Sequence, residues 1–273
     1  MNIPKILYGT AWKKEKTADL VVAAVKTGFR GIDTACQPKH YNEPQVGEAL
    51  KRLNADGIER ESLFVQTKFT PLNGQDPNNI PYDRNAPIEI QVAQSFETSK
   101  KNLQTNYVDS LVLHSAIAPH ETLMKVWSAM ENINKNGEAH KIGISNCYNL
   151  NILKQLYNDA EIKPSFLQNR FYQQSNYDVD LRNWCSEHKI VYQSFWSLTA
   201  NPHALMNPTV MNIAKFYNKT SEQIFFRFLN QLNIVPLTGT TSGKHMVEDL
   251  NIFDFELKTE DIERINKILL VRY

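Results

Sequence analysis

The amino-acid sequence predicts a single α/β domain, a (β/α)8 TIM barrel spanning residues 1–273. Eight short apolar segments recur along the 273 residues, helical patterns lie between them, and no linker or low-complexity segment divides the chain. The repeat is about 34 residues long, as a closed parallel barrel requires. An open doubly wound sheet is the alternative, but residues 9–14 lack the G-x-G-x-x-G turn with which such a sheet binds a dinucleotide.

Each predicted strand is a short run of apolar and β-branched residues, as expected for a strand buried on both faces. In chain order the eight runs are residues 5–9, 29–32, 63–66, 110–113, 141–144, 165–168, 190–193 and 234–237. Polar residues directly follow several of these runs. Because the active sites of such barrels lie where the strands end, these polar residues are the candidates for function.

Helical patterns separate the predicted strands. Residues 17–27 carry apolar side chains at helical spacing, and Gly28 follows them where a capping glycine belongs. Residues 87–102 and 121–135 repeat this pattern. Strands and helices therefore alternate, as the barrel requires.

The composition argues against several classes of protein. The 30 basic and 29 acidic side chains leave a net charge of +1, whereas a nucleic-acid binder needs a dense basic surface. The longest apolar run, residues 20–25, is far shorter than the ~20 residues of a membrane span. The first residues lack the basic and apolar segments of an export signal. We therefore expect neither nucleic acid nor a membrane as partner.

The cysteines indicate neither a disulfide framework nor a metal site. Cys36, Cys147 and Cys185 are odd in number, lie far apart and form no C-x-x-C pair. We expect a cytoplasmic protein without a bound metal, either monomeric or a weak homodimer.

Polar residues follow three consecutive predicted strands. Asp33 follows the second strand, with Tyr41 on its exit loop, Lys68 follows the third and His114 the fourth. In a barrel these groups would meet at one rim. Each has a structural alternative: a helix cap, an ordinary loop tyrosine, a solvated strand end and a packed histidine, respectively.

Together these side chains suit proton delivery. A tyrosine of ordinary pKa ~10 is a poor acid near neutrality, and a neighbouring Lys68 ammonium is expected to lower that pKa. Asp33 would keep the lysine protonated, and His114 could orient a carbonyl oxygen by donating a hydrogen bond.

The chain resembles the aldo-keto reductases over residues 9–257. The motifs that carry the resemblance are residues 28–35, 41–43, 46–50, 65–68, 107–114 and 142–146, together with Leu103. The resemblance implies a barrel that binds NADPH and reduces aldehydes or ketones, small-molecule carbonyl substrates. It makes Tyr41 the general acid, Lys68 and Asp33 the pair that tunes it, and His114 the carbonyl-orienting group.

The resemblance also implies binding residues. Ser145, Asn146 and Gln168 would hold the nicotinamide carboxamide, and residues 194–198 would cover the pyrophosphate. The other expected cofactor-binding residues are Thr10, Asp33, Ser194, Trp196, Leu198, Thr238, Gly239, Thr240, Thr241, Lys244, His245, Glu248 and Asp249. Trp12 and Phe69 are expected in the substrate pocket, with packing under a rim loop as the alternative for Trp12.

The sequence departs from the family near the reacting groups. Tyr41 follows Asp33 by eight positions, more than in most members, so the inserted residues could be a harmless bulge or could reshape the site. The insertion makes His40 a candidate competitor for proton transfer, although we expect it to be a bystander. Gln193 stands where many members have an aromatic ring, so Phe195 or Trp196 is expected to replace that ring.

Two further departures concern the cofactor and the pocket. His245 replaces a strong cation near the expected 2′-phosphate, so NADPH is the first expectation and NADH the alternative. Because the chain has no long segment after the last expected helix, we expect an open substrate pocket. The loop at residues 69–87 is expected to fold over its mouth, with a surface insertion as the alternative.

Two other functions remain open. A cofactor-binding regulatory protein would keep the barrel while Tyr41 no longer reached a substrate. A lyase or aldolase would instead use Lys68 as a Schiff-base amine, which barrels also support.

Overall fold

Eight parallel strands close into a barrel in the computed structural model, which describes residues 3–270. Each strand is hydrogen-bonded to its neighbours in chain order, and β8 closes onto β1. The strands are β1 Leu7–Gly9, β2 Gly31–Asp33, β3 Phe64–Phe69, β4 Val108–Leu113, β5 Ala139–Ser145, β6 Phe166–Arg170, β7 Val191–Phe195 and β8 Ile234–Thr238. The predicted barrel is confirmed, with all eight predicted segments overlapping the observed strands.

Helices surround the barrel. They are α1 Thr17–Thr27, α2 Glu43–Ala55, α3 Ile88–Leu103, α4 His120–Lys135, α5 Leu150–Asp159, α6 Val179–Glu187, α7 Pro202–Leu205, α8 Pro208–Tyr217, α9 Ser221–Gln231, α10 Gly243–Leu250 and α11 Thr259–Leu270. The predicted first helix ends where expected, at Gly28, whose φ of 131° suits glycine. In the part of the chain that the structure describes, no helix combines the length and apolar character needed to cross a bilayer.

Strand alternation divides the barrel interior into layers. Leu7, Phe64, Phe166 and Val235 form one apolar cluster inside the barrel. Because successive strand residues point to opposite faces, residues two and four positions beyond Phe64 and Phe166 share their inward face. Polar side chains on those positions therefore lie above an apolar floor, towards the carboxyl ends of the strands.

The loop at residues 69–87 does not adopt the predicted position. Tyr82 packs against Phe69, with ring centroids 5.7 Å apart, and its hydroxyl donates to the Thr70 carbonyl. Thr98 of α3 donates to the Pro81 carbonyl. The loop thus packs against α3, and the expectation that it covers the mouth of the barrel is wrong.

Helices α2 and α3 approach each other closely at Gly47. A Cβ at this position would lie 2.0 Å from the Asn102 backbone carbonyl oxygen. The side chain of Asn102 also donates to Glu43, in the first turn of α2, at 3.0 Å. Only glycine allows this contact without moving one of the two helices.

We predict that Gly47→Ala lowers the free energy of unfolding by about 1–3 kcal/mol, the usual cost of forcing extra volume into a packed contact. Urea unfolding measures this change. Gly243→Ala is the matched control, because a Cβ at that position meets no atom within 4 Å. Equal stabilities of the two variants would contradict the prediction.

Candidate active site

A cavity of about 970 Å³ opens at the carboxyl ends of the strands. Most of the site residues predicted from the sequence line it. They are Trp12, Asp33, Tyr41, His114, Ser145, Asn146, Gln168, Trp196, Leu198, Thr238, Gly239, Thr240, Thr241, Lys244, His245, Glu248 and Asp249. No residue of the loop at 69–87 is among the lining residues. The barrel therefore brings residues from the ends of at least six strands to one space.

A buried ion pair lies beneath this cavity. Lys68 Nζ donates to Asp33 Oδ2 at 2.6 Å and to the Thr34 carbonyl at 2.8 Å. Both charged side chains are almost fully buried. Burial lowers the pKa of Lys68, and the adjacent Asp33 carboxylate opposes that shift. Neither charge is solvated by water, so each depends on the other.

Two glutamines bind the second oxygen of Asp33, and a third glutamine binds those two. Asp33 Oδ1 accepts hydrogen bonds from Gln66 Nε2 at 2.7 Å and from Gln168 Nε2 at 3.0 Å. The same two amides also donate to Gln193 Oε1, at 2.8 and 2.9 Å. Sequence reasoning missed the roles of Gln66 and Gln193. Strand alternation could have revealed them, because each lies two residues beyond an apolar inward-facing residue on its strand and therefore also points into the barrel.

Gln193 is fully buried within this network. Its amide therefore does not reach the cavity, and Gln193 does not take the place of the aromatic ring found there in many family members. Both amide hydrogens of Gln168 are occupied by acceptors below it, so its Oε1 is the atom left to accept a hydrogen bond from the cavity. Phe195 and Trp196, the residues predicted to replace the missing aromatic ring, both line the cavity.

Tyr41 lies between the ion pair and His114. Its ring centroid is 5.3 Å from Lys68 Nζ and 5.9 Å from the His114 ring. Burial, followed by the charge of Asp33, raises the pKa of Tyr41. The net shift is therefore opposite to the lowering expected from Lys68, because burial and the charge of Asp33 outweigh the effect of the nearby ammonium on the phenolate.

The long connection between Asp33 and Tyr41 folds into a compact turn. Gln37 Nε2 donates to the Gly74 carbonyl at 2.6 Å, and Gln37 Oε1 lies 3.0 Å from His40 Nδ1. The His40 ring packs on Trp12, with centroids 4.0 Å apart. The extra residues are thus absorbed beside the cavity, and Tyr41 still reaches it.

His114 is held as a neutral imidazole. Burial, with smaller contributions from Lys68 and His40, holds its pKa well below the ordinary value of 6.5. Its Nδ1 lies 2.7 Å from Thr70 Oγ1, and the Asn146 side chain donates to its backbone carbonyl. If the Thr70 hydroxyl donates to Nδ1, the proton resides on Nε2, which can then donate into the cavity.

Polar groups from β5 and β6 adjoin His114. Ser145 Oγ donates to the backbone carbonyl of Gln168 at 2.7 Å, and Asn146 Nδ2 donates to Ser145 Oγ at 3.2 Å. Asn146 adopts a left-handed conformation, with φ of 50°, directly after β5. Ser145, Asn146 and Gln168 thus form one connected set in the cavity wall.

A second group of polar residues lies on the β8 side of the cavity. Thr238 Oγ1 donates to Asp249 at 2.6 Å, and burial raises the pKa of Asp249 to about 6. Ser242 caps α10 by accepting from the His245 backbone N–H. The Lys244 side chain is 78% exposed and lies 3.6 Å from Glu248. Lys244 and the backbone N–H groups at the start of α10 therefore lie at the same part of the cavity.

Lys13 is a site residue that the sequence reasoning did not identify. It lines the cavity, is nearly buried, and donates to the Gly239 carbonyl at 2.6 Å. Burial lowers its pKa. Among residues 3–270 it has no carboxylate partner within 4.0 Å. In the sequence it was visible only as one of several lysines near residue 14.

Three other predicted site residues lie outside the cavity wall. Thr10 is buried and donates to the Asp33 carbonyl, and the Ser194 hydroxyl bonds to that of Ser197. Phe69, expected in the substrate pocket, is buried against Tyr82. Strand alternation explains Phe69, because it directly follows the inward-facing Lys68. The structure corrects these three positions: they support the site from behind.

Comparison with known proteins agrees with this architecture. The model of the Aldo/keto reductase family matches residues 5–270. A glyoxal reductase of Bacillus subtilis (strain 168) is 31% identical over 254 residues, covering 93% of this chain and 83% of that protein. An NAD(P)H-dependent D-xylose reductase of Pachysolen tannophilus is 29% identical over 304 residues, covering 98% of this chain and 90% of that protein.

A solved structure shares the whole fold. An aldo-keto reductase from a Medee basin deep-sea metagenome library superposes with a TM-score of 0.84 at 29% identity, covering 98% of this chain and 92% of that one. The resemblance inferred from the motifs is thereby confirmed. The chain belongs to the aldo/keto reductase family, whose members are oxidoreductases that act on carbonyl compounds with NAD(P)H.

Proposed function

We propose that this protein reduces an aldehyde or ketone to an alcohol with NADPH, and that Tyr41 is the general acid. One observation carries the proposal: the Tyr41 ring lies beside both His114 and the buried Lys68–Asp33 pair at the cavity. The glyoxal reductase and D-xylose reductase relatives support carbonyl reduction. A small carbonyl compound is the proposed substrate. The three free, buried cysteines support the proposed cytoplasmic setting.

The residues present fit a nicotinamide dinucleotide. Gln168 Oε1 has no hydrogen-bond partner among residues 3–270, and it belongs to a residue that lines the cavity. A carboxamide N–H₂ is the complementary group, and Ser145 and Asn146 lie beside it. Lys13, Lys244 and the amides at the start of α10 suit the phosphates. A bound reduced nicotinamide supplies the hydride.

The protein's own groups handle the carbonyl oxygen. His114, neutral and protonated on Nε2, donates a hydrogen bond that positions this oxygen. Tyr41 carries its proton at neutral pH, as a phenol of ordinary pKa ~10 does, and burial raises that pKa further. An alkoxide is a far stronger base than a phenolate, and proton transfer from even a weak phenol to it is favourable. Lys68 then stabilises the phenolate that remains.

Lys68 is poorly suited to Schiff-base chemistry. A Schiff-base amine must be unprotonated and exposed to the carbonyl carbon. Here Nζ donates to Asp33 and to the Thr34 carbonyl, and Lys68 is not among the residues that line the cavity. These contacts favour reduction over the lyase alternative.

Tyr41→Phe is expected to reduce turnover at least ~100-fold, the scale of lost general acid catalysis, while NADPH binding changes less than about twofold. Single-turnover oxidation of NADPH by a panel of reactive aldehydes measures the first quantity, and fluorescence titration measures the second. Tyr157→Phe is the control, because Tyr157 lies outside the cavity and its hydroxyl makes no hydrogen bond within residues 3–270. Unchanged turnover in Tyr41→Phe would refute the assignment. A wild-type protein that binds NADPH but oxidises it with no aldehyde would instead be the cofactor-binding regulatory protein.

Lys68→Met and Asp33→Asn are each expected to destabilise the fold by about 3–5 kcal/mol, because each leaves a buried charge without its partner. The double variant is expected to lose less than the sum of the two. Urea unfolding of the four proteins completes the cycle. Additive losses, within about 0.5 kcal/mol, would show that the pair is not coupled. Lys68→Met should also lower turnover about as much as Tyr41→Phe.

Lys244→Gln is expected to weaken NADPH binding about tenfold, the effect of losing one charge-assisted hydrogen bond, with little change for NADH. Parallel fluorescence titrations with NADPH and NADH measure both affinities and decide the preference of the wild-type protein. Lys51→Gln, on the exposed face of α2, is the matched control. Equal loss for both cofactors would argue against a 2′-phosphate contact.

A further inference from the structure

A guanidinium group that has no counter-ion among residues 3–270 lies at the mouth of the cavity. Arg170 ends β6 and lines the cavity. Its guanidinium lies 4.3 Å from the Trp196 ring centroid and 5.3 Å from that of Tyr172. Within residues 3–270 the Arg170 side chain makes no hydrogen bond or ion pair, whereas its backbone N–H donates to the Tyr148 hydroxyl. The aromatic contacts hold the guanidinium in place and leave its N–H groups available to a ligand.

Strand alternation places Arg170 on the reaction side of the site. Phe166, Gln168 and Arg170 share the inward face of β6, so Arg170 lies one layer above the amide of Gln168. The Tyr148 hydroxyl, which accepts from the Arg170 N–H, lies 3.4 Å from Asn146 Oδ1. Arg170 therefore adjoins the proposed nicotinamide amide site.

The proposed phosphate-binding cations occupy a different part of the barrel. Lys13 lies after β1 and bonds to Gly239, and Lys244 lies on α10, after β8. In the closed strand order, β6 is two strands from β8 and four from β2, whose exit loop carries Tyr41. Arg170 thus stands across the mouth from Tyr41 and away from Lys13 and Lys244.

The backbone of Trp196 holds the stack in place. Trp196 has φ of 55°, a left-handed conformation that is uncommon for a large residue, and its side chain is 47% exposed. Such strain persists only where surrounding structure requires it, and it often marks a ligand-binding position. Here it sets an indole over the guanidinium at the edge of the cavity.

The acidic residues of the cavity leave Arg170 unneutralised. Asp33 is committed to Lys68, and Glu222, Glu248 and Asp249 lie on α9 and α10, on the β8 side. A planar carboxylate matches the geometry of the guanidinium edge. We propose that the substrate is a carbonyl compound bearing a carboxylate several atoms from its carbonyl carbon, and that Arg170 binds this carboxylate. This inference rests on the proposed function.

Binding of an unreactive product tests the inference without turnover. Isothermal titration, with and without NADPH, compares 4-(hydroxymethyl)benzoate with 4-(hydroxymethyl)benzamide. The wild-type protein is expected to bind the carboxylate at least about tenfold more tightly, as a charge-assisted hydrogen bond implies. Arg170→Gln should lose this preference and Arg170→Lys should keep part of it. Arg84→Gln, an exposed control outside the cavity, should keep all of it.

The reaction gives a second comparison. The ratio of kcat/KM for 4-carboxybenzaldehyde to that for methyl 4-formylbenzoate is expected to be about ten or more in the wild-type protein and near one in Arg170→Gln. Because both substrates use the same cofactor, the ratio cancels any change in cofactor binding that the substitution causes. The carboxylate preference should also fall as ionic strength rises.

Three outcomes would overturn the inference. They are equal binding of the acid and amide by the wild-type protein, an Arg170→Gln variant that retains the preference, and loss of NADPH affinity in that variant with the preference intact. The last result would assign the guanidinium to the cofactor. If no aldehyde of the panel is reduced, these two included, the proposed reductase function fails, whereas the titrations still decide whether Arg170 binds a carboxylate.

Discussion

A lysine ammonium and an aspartate carboxylate, 2.6 Å apart inside the barrel, determine the arrangement of the groups around them. Since water reaches neither charge, protein dipoles must solvate the remaining carboxylate oxygen. Gln66 and Gln168 do so, and Gln193 accepts their second amide hydrogens. This network orients Gln168 with its carbonyl towards the cavity. The ion pair beneath the site therefore determines that Gln168 presents a hydrogen-bond acceptor, its Oε1, to the cavity.

The same pair explains the acid–base state of the reacting groups. A lone ammonium near Tyr41 would favour its phenolate, but Asp33 makes the pair nearly neutral and burial then dominates. His114 is buried beside that ammonium and remains uncharged. The cavity thus presents two neutral hydrogen-bond donors, which suit the proposed reaction because the substrate oxygen would gain negative charge only during reduction. In that proposal Lys68 lies close enough to stabilise the Tyr41 phenolate afterwards.

The sequence was sufficient to predict the barrel and the convergence of Asp33, Tyr41, Lys68 and His114, because apolar strands ending in polar residues are visible without coordinates. Asp33 and His114 are examples, each following such a run. The glutamine network was not predictable, since an amide on a strand does not reveal its partner across the barrel. The position of the 69–87 loop depended on tertiary hydrogen bonds such as that of Tyr82 to Thr70. The raised pKa of Tyr41 depended on burial, which sequence spacing does not measure.

The overall charge of +1 conceals an uneven distribution of charge in the cavity. Lys13 and Lys244 adjoin the β8 side, where acidic residues of α9 and α10 are also present. Arg170 stands apart from that group, contacts two aromatic rings and has no carboxylate partner in the part of the chain that the structure describes. A buried or half-buried charge is costly unless a ligand or counter-ion offsets it. Two separate regions of positive charge in one cavity therefore favour two anionic groups at its opposite ends, the phosphates of a dinucleotide and the carboxylate of the molecule it reduces.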